Sequence, residues 1–122
     1  MHVHDLALKL AEALAASDEY KEFITAKENL RKDRTNGDLL DEFRQRQFEL
    51  QMAELAGHEV EDEVKEQIEH DYQLLCMNSD INEYLNAEYL FSLMLSDIQG
   101  AIAEAVPEWF NFNLTGSPQN IN

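Results

Sequence analysis

Residues 89–96, Tyr-Leu-Phe-Ser-Leu-Met-Leu-Ser, carry no charge in a chain whose net charge is −16. They lie inside a longer stretch, 78–106, that reads as one helix. Tyr84, Ala87, Phe91, Met94, Leu95, Ile98, Ile102 and Ala105 recur at helical spacing and make one apolar stripe. Leu85, Tyr89 and Leu93 fall on another side of the same cylinder. A helix apolar on more than one side belongs at the centre of a fold, so neighbours are expected all round it. Ser79 or Asp80 is the expected cap, because a side-chain oxygen there takes an orphan amide of the first turn.

The remaining chain reads as more helix. Only 4 Gly and 2 Pro interrupt 122 residues, β-branched alternation is absent, and good helix formers dominate. Residues 4–16 form a short amphipathic helix with Val3, Leu6, Ala7, Leu10 and Leu14 on its apolar face. Ser17 is placed to cap a second helix over 18–35. Asp18 and Glu19 suit its positive end, and Arg31, Lys32 and Arg34 its negative end. Asn36-Gly37 is expected to stop that helix, with Asp38 capping a third over 39–56. Gly57 is expected to end the third. A fourth, 59–77, has Val60, Val64, Ile68 and Leu75 on one stripe and acidic side chains elsewhere. Pro107 closes the long helix. The expectation is all-α: one domain over 1–107, a bundle of about five helices with a long C-terminal central one. Residues 108–122 form a tail whose last residues read as disordered, with Trp109, Phe110 and Phe112 available to dock.

The third helix has two apolar sides. Leu39, Phe43, Leu50 and Ala53 form one; Phe48, Met52 and Leu55 form the other, half a turn away at ~100° per residue. A two-sided helix in so short a chain needs two covers. A second copy supplies the outer one in the dimer reading, and another helix of the same chain supplies it in the alternative. The residues expected at a subunit or partner contact are Phe48, Met52, Leu55, Tyr89 and Leu93.

Charge narrows the partners. Residues 1–55 hold 8 basic and 12 acidic side chains, whereas 56–122 hold Lys65 against 13 acids. Such a surface repels a phosphate backbone and an anionic membrane, so neither nucleic acid nor membrane is an expected partner. A basic protein partner is compatible with it, as is plain solubility. The single cysteine, Cys76, excludes an intramolecular disulfide and suits a reducing compartment. No signal peptide and no uncharged run near the ~20 residues of a membrane span are seen, so a cytoplasmic location is expected.

The residues show no readable catalytic chemistry. A carboxylate-bridged di-iron bundle needs Glu-x-x-His on two helices, and Gln67 stands three before His70. Glu66 and His70, one turn apart, read as a solvated pair. Cys76 lacks a basic neighbour in sequence to lower its pKa and reads as a small filler. The four glycines are isolated, so no phosphate loop is present. No enzyme and no cofactor are expected. The competing reading is a metal- or iron–sulfur-binding protein using Cys76 or Glu66/His70 across a dimer.

Three stretches together look familiar: 7–20 with its helix followed by Ser-Asp-Glu-Tyr, 40–47 as Leu-Asp-Glu-Phe-Arg-Gln-Arg-Gln, and 78–102. Asp41-Glu42-Phe43-Arg44 and Asn86-Ala87-Glu88 are their most distinctive pieces. In this order and spacing they resemble the YlbF/YmcA family, especially its YheA-like branch, over about residues 3–106. The resemblance implies an all-α antiparallel bundle that dimerises through its long helices. It also implies a bacterial, cytoplasmic, non-enzymatic regulator or adaptor. Some members work in complexes that influence competence, sporulation, biofilm formation and RNA processing through a ribonuclease partner. Those members can hold an iron–sulfur cluster, and YlbF has a cysteine-rich C-terminal tail. This chain has no cysteine after Cys76.

Overall fold

The computed structural model describes the backbone of residues 2–115 and the side chains of residues 2–111. Every element among them is a helix: α1 (Val3–Ala15), α2 (Asp18–Lys32), α3 (Arg34–Leu55), α4 (Asp62–Cys76), α5 (Ser79–Ala105) and α6 (Pro107–Thr115). The sixth arises because Pro107, with its preset φ, opens a new helix where it ends the old one. The expected disorder of the last residues falls mostly outside the described chain. The chain divides into two compact units that part between Glu88 and Tyr89, within α5.

In the first unit, local chemistry sets the helix ends. The Ser17 hydroxyl accepts the Tyr20 amide at 3.1 Å and donates to the Leu14 carbonyl at 2.7 Å, so one residue ends α1 and starts α2. Gly57 sits at φ +87°. Around it His58 N–H reaches Ala53 O and Gly57 N–H reaches Glu54 O, both at 3.0 Å, the paired bonds of a left-handed C-terminal cap.

Two expected boundaries are corrected. Asn36-Gly37 does not stop a helix; α3 begins at Arg34 and runs through both. Asp33, extended at φ −103° and ψ 102°, makes the break and accepts the Thr35 amide at 3.0 Å. Gly37 is buried, and a Cβ there would stand 2.7 Å from Arg31 Nη1, so the glycine serves close packing. Neither Ser79 nor Asp80 caps α5 by its side chain. Asn78 Oδ1 accepts the Ile81 amide at 3.1 Å while its Nδ2 donates to Asn36 Oδ1 at 3.0 Å. One amide thus caps α5 and ties it to the first turn of α3.

Cross-links give the directions. Going along α3 from Phe43 through Arg46 to Glu54, the partners on α4 recede from Tyr72 through Asp71 to Lys65, so the two run antiparallel. Along α3 from Asn36 to Arg44 the partners advance from Asn78 to Glu88, so α3 and the start of α5 run parallel. The core lies where α2, α3 and α5 meet: Ala26, Leu30, Leu40, Ile81, Tyr84 and Ala87, with Phe23, Leu75 and Leu85 packed on it. Leu30 and Ile81 are fully enclosed. Leu40, not Leu39, is the buried leucine of α3, and Leu39 stays exposed.

The second unit comprises α5 from Tyr89 onward and α6. Here a single chain does not enclose the helix on all sides. Burial in α5 stops at Ala87. From Tyr89 onward Phe91, Met94, Ile98 and Ala103 are half-covered and the other described side chains are exposed. One chain has too few elements to surround a helix of this length. Trp109 is exposed as well.

Candidate interaction surface

The α3 helix carries the candidate surface because its inner face is already used. Leu40 and Phe43 are buried and Leu50 and Ala53 half-buried. On the opposite side Phe48, Met52 and Leu55 follow at steps of four and three, a single stripe by helix geometry. Their exposures are 54%, 41% and 79%. In the second unit Tyr89 and Leu93, one turn apart on α5, are 58% and 42% exposed. All five residues singled out from sequence are therefore open to solvent in a single chain.

Sequence reasoning missed how much else is open. No residue of α1 is buried, and Val3, Leu6, Leu8 and Leu10 are exposed. The signal was available: Leu8 falls off the α1 stripe, so the helix is apolar on two sides. Leu90, Leu95 and Ile102 add to the exposed set on α5. Scattered apolar side chains are ordinary on a surface, but contiguous stripes on several helices mark contact sites.

Beside the α3 stripe sits a polar clamp. Arg44 grips Glu88 in two-pronged fashion, Nη1 to Oε2 at 3.1 Å and Nη2 to Oε1 at 2.5 Å. The Tyr84 hydroxyl donates to Glu88 Oε2 at 3.2 Å, and the guanidinium lies 5.8 Å from the centre of the Tyr84 ring. The hydrogen bond to Glu88 raises the Arg44 pKa, and burial followed by the Glu88 charge raises that of Tyr84. Arg44 and Glu88 come from the two distinctive sequence pieces, Asp-Glu-Phe-Arg and Asn-Ala-Glu. Asp41 of the same piece pairs with Arg31 at 3.1 Å. Both pieces are thus used to fasten helices together.

A second polar link joins α3 to α4. Arg46 donates to Asp71 Oδ2 at 2.7 Å and Gln67 to Oδ1 at 2.9 Å. These bonds, Arg46 first, hold the Asp71 carboxyl below its ordinary value. A groove of about 340 Å³, walled by Leu39, Leu74, Leu75 and Ile81, opens beside this link. Another, of about 600 Å³, follows α3 and α4.

Cys76 is free and half-buried. Its nearness to the Tyr72 hydroxyl is the main cause that raises the Tyr72 pKa. Glu66 and His70 are exposed on α4. Among the described residues no group of three or more His, Cys, Asp or Glu side chains is placed to hold a metal. No helix among them is long and apolar enough to cross a membrane.

Fold and surface together define a small all-helical protein with apolar stripes open to solvent in a single chain and polar clusters that tie its helices together. Residues 3–107 match the family described as "Control of competence regulator ComK, YlbF/YmcA", and the chain belongs to the YlbF/YmcA family, a family of regulators. It is 37% identical over 105 residues to a UPF0342 protein of Caldicellulosiruptor bescii, a match covering 86% of this chain and 88% of that one. It is 39% identical over 104 residues to a UPF0342 protein of Symbiobacterium thermophilum, covering 85% and 93%. Among solved structures, a "Protein of Unknown Function (DUF964) from Bacillus stearothermophilus" superimposes with a TM-score of 0.76 at 23% identity, covering 87% of this chain and 93% of that one. That likeness establishes the shared helical fold.

Proposed function

We propose that this chain is a non-enzymatic cytoplasmic regulator that acts as a helical homodimer through protein–protein contact. The observation that carries this is the open stripe of Phe48, Met52 and Leu55 on a helix whose other face is occupied. Tyr89 and Leu93 extend the same demand for cover in the second unit. Burying a fully exposed side chain of this kind is worth roughly 1.5–3 kcal/mol, and these side chains, partly covered already, gain a share of that on association. Family membership supports a regulatory role, since the family is described by control of a competence regulator.

Light scattering tests the assembly. The native chain is expected at the mass of two copies. Phe48→Lys with Met52→Lys is expected to give monomers, or chains that lose helical circular dichroism. A variant that stays a stable, helical dimer removes this stripe from the interface. A native chain that is monomeric at every concentration removes the dimer.

A further inference from the structure

The larger groove, between α3 and α4, lies half a turn from the Phe48 stripe and needs a different occupant. Its floor is apolar: Leu50, Val64 and Ile68. Its rim carries Glu49, Glu61 and Glu63, and none of the three carboxylates has an ion-pair or hydrogen-bond partner among the described residues. The only cation in its lining, Arg46, is already bound to Asp71. A greasy floor with an uncompensated negative rim attracts apolar side chains flanked by positive charge and rejects acidic ones.

We propose that this groove docks a basic amphipathic helix of a partner protein, its Leu-like residues on the floor and its Lys or Arg side chains on the rim. This rests on the reading that the chain works by protein contact, and it names the chemistry of the partner. Charge decides against nucleic acid, which the rim repels. It also disfavours filling this groove with the acidic helices of a second copy, since residues 56–122 hold 13 acids against Lys65.

The test uses a short fluorescent amphipathic helix built of Leu and Lys, with a Leu and Glu helix of the same pattern as control. Anisotropy is read on the full-length protein at near-physiological salt. The basic peptide is expected to bind and the acidic one not. Glu49→Gln, Glu61→Gln and Glu63→Gln together, all on exposed side chains, are expected to weaken binding about tenfold. Glu66→Gln with Glu69→Gln removes charge from the side of α4 away from the groove and is expected to change little. Equal losses in both sets would mean unspecific attraction and overturn the proposal, as would absence of binding. Val64→Asp adds a charge at the floor, and a change of oligomeric state in that variant would assign the groove to a second copy. The Phe48 and Met52 variants report on the dimer separately, so either reading can fail while the other stands.

Discussion

At Arg44 a guanidinium lies against the Tyr84 ring and closes a two-pronged bond on Glu88. Both charged side chains keep about two-fifths of their surface in water, 41% and 36%. Solvent therefore screens the pair, and its net value sits nearer that of a surface bridge than of a buried one. Geometry raises it somewhat, because the fork is bidentate and Tyr84 donates to the same carboxylate. Arg44→Met is expected to lower stability by about 1–2 kcal/mol, mostly by leaving Glu88 half-covered and unpaired. Adding Glu88→Met should return part of the loss. Urea titration of the two variants decides; full additivity would mean the residues do not act as a pair. Arg44 and Glu88 stood out in sequence only through family likeness. Nothing local to either residue tells that a partner 44 positions away will complete it.

At the scale of the element, the helix ends at Ser17 and Gly57 were legible, while those at Asn36-Gly37 and at Ser79 or Asp80 were not. Ser17 and Gly57 act as their types imply, since a serine oxygen and a glycine's freedom at positive φ need only nearby backbone. An added Cβ at Gly57 meets nothing within 4 Å. The Gly57→Ala variant therefore carries only the left-handed backbone penalty, and a loss of about 1–2 kcal/mol in thermal or urea unfolding is expected. An unchanged midpoint would show that the turn relaxes to another conformation. Asn36-Gly37 misled because the pair is a turn signal only where no stronger local cap competes. Asp33 wins the break, Gly37 lets Arg31 lie close, and Asn36 is recruited by Asn78. On α3 periodicity placed Phe43, Leu50 and Ala53 on the covered side and named Phe48, Met52 and Leu55 on the open one, but it chose Leu39 where Leu40 is buried.

For the whole molecule, repulsion and pairing oppose each other. The ion pairs within the described chain have at least one partly exposed member, and such pairs contribute ~0–1 kcal/mol each. A net charge of −16 acts on every part of so small a chain, so self-repulsion outweighs them. Raising salt is expected to raise the melting temperature, as is mild acidification that discharges exposed carboxylates. Further acid reverses this. Asp71 has a depressed pKa in the folded chain, so its contribution is complete above its ordinary value of 3.8 and fades as pH falls through the lower folded value. A melting temperature that falls steadily with salt would show that the ion pairs dominate.

The sequence alone determined that this chain is helical and most of the residues in its apolar stripes, because those depend on spacing along one strand of chain. It also determined that more apolar surface exists than a small core absorbs. Only the tertiary structure decided which stripe is covered: Leu40, Ile81, Tyr84 and Ala87 are enclosed, while α1 and α5 beyond Ala87 stay open. The reason is physical. Periodicity records what a helix offers, but burial depends on which other helices the folded chain brings within reach.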